Sequence, residues 1–236
     1  KLGIGVNKDI IKANEYFQQS IDYDLPNSLI AVGNNFAKGN NVEKNHNRAK
    51  SFFKKSSKLN NTGSILNLGI MYECKQGVER NLDISKKCFT KSAELNQSYG
   101  YLNLGNMYFN GHGVVRDYSK AIYYYLQSAK NMNPYALLNL GYMCFHGLGF
   151  EKDYSKAKEY FEKSAFFNNS EALLNLGKLY FYGFGVEINF LKAKEYYTKS
   201  ALLNNSEALF QLGLLYYNGN GVQQSYMKAM EYFIES

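Results

Sequence analysis

Arginine is nearly missing from this chain of 236 residues: Arg48, Arg80 and Arg116 are the only three. The net charge of +7 rests on lysines that alternate with acids, as in Lys158, Glu159, Glu162 and Lys163. Nucleic-acid binding needs cationic charge gathered on one face, so no nucleic-acid partner is expected. Cysteine is scarce as well. Cys74, Cys88 and Cys144 are odd in number and stand at unrelated places, whereas a disulfide framework would recur with the architecture. Reduced thiols filling core positions are expected instead. The three histidines, His46, His112 and His146, have no metal-ligand spacing to one another or to the cysteines, so neither a metal nor a cofactor is expected. No apolar run approaches the ~18 residues that a membrane span requires, which excludes direct membrane insertion. No signal peptide is present, but the chain opens in mid-repeat and a leader ahead of it stays open. Only two prolines occur, Pro26 and Pro134.

What the chain has is a period of 36 residues. The glycine of a Leu-Gly or Val-Gly step falls at Gly33, Gly69, Gly105, Gly141, Gly177 and Gly213, with no insertion or deletion between them. A small-residue column keeps the same spacing at Ala13, Ala49, Ser85, Ala121, Ala157, Ala193 and Ala229. The two prolines share a third column, three periods apart. A period of this size marks a stack of supersecondary units, each too small to bury its own apolar face and each leaning on its neighbours. With 45% hydrophobic residues the stack has the material for a core.

Residues 133–168 illustrate one unit. Asn133 is a helix N-cap, and Pro134 suits the first helical position, where its missing N–H has no partner to lose. Ala136, Leu137, Leu138, Leu140, Gly141, Met143, Cys144 and Phe145 give the first helix, A, a broad apolar surface. A glycine inside a helix costs ~1 kcal/mol relative to alanine. Its return in every unit implies a close approach that a Cβ would block. Gly147-Leu148-Gly149 ends helix A and reverses the chain. Helix B follows, capped from a column that reads Asp9, Asn45, Asn81, Asp117, Asp153, Asn189 and Ser225. Tyr154, Ala157, Tyr160, Phe161, Ser164 and Ala165 mark its packed face. The expected fold is therefore all-α, a right-handed α/α superhelix (solenoid) of 36-residue helix-turn-helix repeats. One array over 1–236 is expected. It begins with a leading helix B at about 9–23, and six pairs follow at about 26–61, 62–97, 98–133, 134–169, 170–205 and 206–236.

The recurring string Ala-x-x-x-Leu-Gly-x-x-Tyr-x-x-Gly-x-Gly-Val-x-x-Asp-x-x-Lys-Ala-x-x-Tyr/Phe-x-x-Ser-Ala resembles the Sel-1-like repeat, a relative of the tetratricopeptide repeat. It is clearest in 136–165, 172–201 and 208–236. The pattern breaks in places. Asn41 and Lys75 replace turn glycines, Ser85 a helix-B alanine and Cys88 its aromatic, so 62–97 is the irregular unit. The resemblance implies an adaptor that holds partner proteins together, as such arrays do in endoplasmic-reticulum quality control, cell-wall regulation, and bacterial signalling and host interaction. Some arrays are attached to kinase or ligase domains.

Two sets of helix-A residues are candidates for partner contact. Asn67, Asn103, Asn139, Asn175 and Gln211 place one amide in each of five units. An amide offers both donor and acceptor, so such a ladder fits the backbone of an extended peptide; satisfying local backbone groups is the alternative role. In columns that vary while the frame stays constant, Tyr142, His146, Lys178 and Tyr182 gather aromatic and cationic side chains typical of interface anchors. Chemistry has little support. Gly111-His112-Gly113 lacks the third glycine and the preceding strand of a dinucleotide site, and Cys144 has no matched base. Asn-x-Ser/Thr triplets at Asn60, Asn96, Asn168 and Asn204 fall at the turns between units, where Asn and Ser are turn residues in their own right. The expected function is a non-catalytic scaffold that binds proteins or peptides on its concave face. The alternative is a regulatory or targeting segment of a larger protein, such as a kinase, a ligase or an adaptor of endoplasmic-reticulum-associated degradation. Stacking of chains end to end is a further option. A cytoplasmic location is favoured, with the endoplasmic-reticulum lumen or bacterial periplasm as alternatives.

Overall fold

A computed structural model describes residues 25–236 except residue 41. The leading helix expected over about 9–23 and the turn residue Asn41 lie outside the described residues. Those residues form twelve α-helices and no strand. They fall into two compact units. The first runs to Asp117 and contains α1 (Pro26–Lys38), α2 (His46–Lys58), α3 (Thr62–Glu73), α4 (Leu82–Glu94) and α5 (Ser98–Asn110). The second starts at Tyr118 and contains α6 (Tyr118–Lys130), α7 (Pro134–His146), α8 (Tyr154–Ala165), α9 (Ser170–Tyr182), α10 (Phe190–Ala201), α11 (Ser206–Asn218) and α12 (Tyr226–Glu235). Within each unit, helices A and B of one repeat pack as a hairpin, and helix B packs on helix A of the next.

The glycines at 33, 69, 141, 177 and 213 are seats for rings. A Cβ on Gly33 would lie 2.5 Å from Phe53, one on Gly69 2.5 Å from Phe89 and one on Gly141 2.7 Å from Phe161. Gly177 and Gly213 are pressed as tightly by Tyr197 and Phe233. In every case the ring stands on helix B of the same repeat, twenty residues after the glycine. Phe53, Phe89, Phe161 and Tyr197 are all but fully buried, so each seat closes one hairpin. Such a ring removes the order of 150–250 Å² from water.

A second aromatic column lies three residues after the glycine. Phe36 stacks on Phe52 at 5.8 Å, Tyr180 on Tyr196 at 5.7 Å and Tyr216 on Tyr232 at 5.7 Å. Each carries a helix-B cation over its ring: Arg48 at 5.0 Å, Lys192 at 5.0 Å and Lys228 at 5.3 Å. Cation–π pairs of this kind contribute ~0.5–1 kcal/mol at exposed sites.

Caps set the helix boundaries. Asn45, Asn81, Asp153, Asn189 and Ser225 each accept a hydrogen bond from the backbone N–H three residues on. Asn133 caps α7 through the N–H groups of Tyr135 and Ala136. A tie that the sequence reading passed over joins the two ends of a hairpin: the hydroxyls of Ser56, Ser164 and Ser200 donate to the carbonyls of Pro26, Pro134 and Ser170. In the irregular repeat the Ser92 hydroxyl is buried with no such partner, and so is that of Ser85 in the alanine column.

The turns between repeats are left-handed at one residue. Asn60, Asn96, Asn168 and Asn204 have φ of 56–60°, a conformation that asparagine tolerates better than most side chains. That accounts for their recurrence without glycosylation. Met132 holds the same position at φ 54° and Lys75 replaces a turn glycine at φ 56°. A long unbranched side chain gains nothing there, so Met132→Asn is expected to raise stability by about 0.5–1 kcal/mol. Urea unfolding followed by circular dichroism reads the shift; an unchanged midpoint would mean that the strain is absorbed elsewhere.

Candidate helix-A interaction face

The five amides share a column but not a partner. In the first unit, Asn67 donates its amide N–H to Asn34 Oδ1 on the neighbouring helix A at 2.9 Å, and Asn103 donates to the Tyr99 carbonyl one turn back at 2.9 Å. In the second, Asn175 donates to the Glu171 carbonyl at 2.8 Å and Gln211 to the Glu207 carboxylate at 2.8 Å. Asn139 hydrogen-bonds the Tyr125 hydroxyl. Each amide thus spends donor capacity on its own or an adjacent helix. Asn67, Asn103, Asn139 and Asn175 are partly exposed, whereas Gln211 is 7% exposed and its carbonyl oxygen is buried without a partner.

Tyr142, His146, Lys178 and Tyr182 come together on α7 and α9. Tyr142 and His146 sit one turn apart with ring centroids at 4.2 Å. Phe145 meets His146 at 4.9 Å and Phe184 at 5.3 Å, and Phe184 meets Tyr182 at 5.6 Å. A continuous chain of rings therefore crosses from α7 to the end of α9. Tyr142 and Tyr182 are about half exposed at its two ends (43% and 51%). The sequence reading missed Phe184, the link in the middle. Its signal was available: among the turns, whose central residues are Asn40, Gln76, His112, Leu148, Phe184 and Asn220, only this one carries a phenyl ring.

Charge borders the rings. Lys178 Nζ lies 3.5 Å from Glu207 Oε1 on α11, the lysine a third and the glutamate half exposed, and Asn205 donates to Glu171 Oε1 across the same pair of helices at 2.9 Å. An exposed ion pair of this kind contributes ~0–1 kcal/mol, so exchanging Glu207 for a partner's carboxylate costs little. His146 is held below its ordinary pKa by burial and by nearby Lys152, which keeps the imidazole neutral at pH 7 and fit to stack on Tyr142.

Nothing in this arrangement pairs a nucleophile with a base. All three thiols are free, but only Cys144 is buried in the core as expected; Cys88 is half-buried and Cys74 is exposed. Burial pushes Cys88 and Cys144 up from the ordinary value, and partial desolvation and nearby Glu73 push Cys74 up. Among the described residues, no cluster of His, Cys, Asp and Glu could hold a metal ion, and no helix is long and apolar enough to cross a membrane.

A family model described as Sel1 repeat matches residues 1–22, 26–61, 63–97, 98–131, 134–165, 170–205 and 206–236. Among solved structures, a Sel1 repeat protein from Oxalobacter formigenes is 29% identical, with a TM-score of 0.88 over 93% of this chain and 90% of that one. A protective antigen of uropathogenic Escherichia coli strains, displaying an SLR fold, is 28% identical with a TM-score of 0.80 over 98% of this chain. This chain spans 50% of that antigen's length. An immunity protein from Pseudomonas aeruginosa, 19% identical with a TM-score of 0.60 over 89% of this chain and 81% of its own, shares the fold. No curated protein matches.

Proposed function

We propose that this chain, which belongs to the Sel1 repeat family, is a scaffold that binds a partner protein or peptide along its helix-A face. Sel1 repeat proteins generally mediate protein–protein interaction, and the family is typically a non-catalytic repeat scaffold. The observation that carries the reading for this chain is the row of half-exposed rings from Tyr142 and His146 to Tyr182, bordered by the exchangeable Lys178–Glu207 pair. Aromatic and cationic side chains are the types that dominate interface energetics. Asn139 and Asn175 extend the face within the second unit, and Asn67 and Asn103 hold the same column on helix A in the first; one N–H of each amide is already engaged. Gln211 contributes least, because it is buried.

The test compares the wild-type chain with a Tyr142→Ala, Lys178→Glu, Tyr182→Ala variant in affinity capture from lysate of the source cells. None of the three side chains is fully buried, so helicity and melting temperature should be unchanged. Loss of three anchors worth at least ~1 kcal/mol each should cut recovery of specific partners more than tenfold. Equal recovery from both chains would move the contact off this face. A parallel Asn103→Ala, Asn175→Ala variant separates the amides' two roles: lower stability with intact capture makes them structural, and intact stability with lost capture makes them a groove.

A further inference from the structure

The aromatic column that stacks on helix B is interrupted once. Where Phe36, Tyr72, Tyr108, Tyr180 and Tyr216 stand in the other repeats, α7 carries Cys144. Part of the clamp around the missing ring is still there, although Ile122 stands where the second lysine over the ring, Lys158 or Lys194, stands in the next two repeats, and Lys156 Nζ lies 3.4 Å from Asp153 Oδ2. Tyr160 occupies the place of Tyr196 and Tyr232, which stack on Tyr180 and Tyr216, and Lys156 that of Lys192 and Lys228, which lie over them. A cleft of about 650 Å³ lies here, lined by Cys144, Tyr160, Asp153 and Lys156 among others, whereas the equivalent cleft beside Tyr216 is smaller, about 460 Å³. The cleft beside Cys144 is open to solvent, and its size falls within the ~300–1,000 Å³ of ligand sites.

We propose that this cleft receives one aromatic ring, the side chain of a tyrosine on a partner protein. The chain itself specifies the occupant. Tyr180 and Tyr216 fill the same place with a phenol in the following two repeats, held between a stacked tyrosine and lysines 5.0–5.9 Å from the ring centroid. A stacking face plus a cation selects a π-system over an aliphatic group of equal size. Cys144, 1% exposed, is the floor of the site and has no chemical part in it. Tyr154 in its lining touches Phe145 and Phe184 of the ring row at 5.1 and 5.2 Å, but no residue exchanged in one test belongs to the other site, so the two tests fail separately.

The experiment titrates the isotope-labelled chain with p-cresol, N-acetyl-L-tyrosinamide and 4-methylcyclohexanol and follows backbone amide shifts by NMR. Both phenols are expected to saturate the amides of residues 151–156 in the millimolar range, with the saturated alcohol at least tenfold weaker. Cys144→Tyr refills the cleft; it should abolish both responses and raise the melting temperature by a few degrees. Tyr180→Cys should open a second site and add saturable shifts around residues 187–192. Lys156→Ala should weaken binding without changing the fold, which keeps the test sound if either cysteine or tyrosine exchange fails to fold. The proposal is overturned if Cys144→Tyr still binds, or if the saturated alcohol matches p-cresol. Binding of p-cresol without N-acetyl-L-tyrosinamide would make the ligand a free phenol and would also overturn it.

Discussion

Gly141→Ala is expected to destabilise the chain by about 2–3 kcal/mol, although alanine is the better helix former by ~1 kcal/mol. The added methyl would lie 2.7 Å from two atoms of the Phe161 ring and 3.2 Å from the Ala157 carbonyl. Neither can give way. The ring is 1% exposed and packed on all sides, and the carbonyl belongs to helix backbone. Gly63→Ala is the control. It is also a helical glycine, but its Cβ would meet the terminal methyl of Ile30 at 2.6 Å, which can rotate away, and otherwise only Asn61 Oδ1 at an ordinary 3.5 Å. Its expected effect is neutral to stabilising by up to ~1 kcal/mol. Phe161→Leu should make room at Gly141, so that the double variant loses less than the sum of the singles. A double-mutant cycle in urea reads this coupling directly. Additive losses would mean that glycine and ring do not meet as described.

Alkaline stability is the second large effect. Tyr125 and Tyr197 are buried to within 1% of complete, and burial pushes both phenols well above the ordinary value of 10. In the unfolded chain each ionises near pH 10; in the folded chain neither does. The stability they carry is therefore fully present below pH 10 and falls as pH rises past it, by about 1.4 kcal/mol per tyrosine at pH 11. The pair should cost ~3 kcal/mol between pH 9 and pH 11. Removing either hydroxyl should halve that loss. At neutral pH the two variants should part company. The Tyr197 hydroxyl is buried with no partner, so Tyr197→Phe should gain ~1 kcal/mol. The Tyr125 hydroxyl is bonded to Asn139, so Tyr125→Phe should lose about as much. Urea midpoints across pH 7–11 for the wild type and both variants check all three statements.

The glycine column was legible because a cost of ~1 kcal/mol repeated every 36 residues demands a return. Spacing alone did not say which ring exacts it; that required the hairpin to be closed. The capping columns were equally legible, since Asn, Asp and Ser bond the nearest N–H groups and need no tertiary context. The amide column was legible only as a column. Asn103 and Asn175 turn back to a carbonyl four residues away, Asn67 reaches across to Asn34, and Asn139 meets Tyr125. These choices are made over a few ångströms by neighbours that differ between repeats, and no period encodes them. Met132 was invisible for a different reason. Methionine carries no turn signal, so its left-handed backbone is set by the neighbouring helices alone. Tyr142, His146, Lys178 and Tyr182 were found as a variable cluster, but Phe184 was lost among turn residues.

The helix-A face as the partner surface is best tested by site-specific photocrosslinking in the source cells. A photoreactive phenylalanine analogue would replace Tyr142 or Tyr182 on helix A and, in separate chains, the exposed helix-B residues Tyr123 or Glu159. Adducts of one discrete mass from positions 142 and 182, and none from 123 and 159, are the expected result. Adducts confined to the helix-B positions would contradict it.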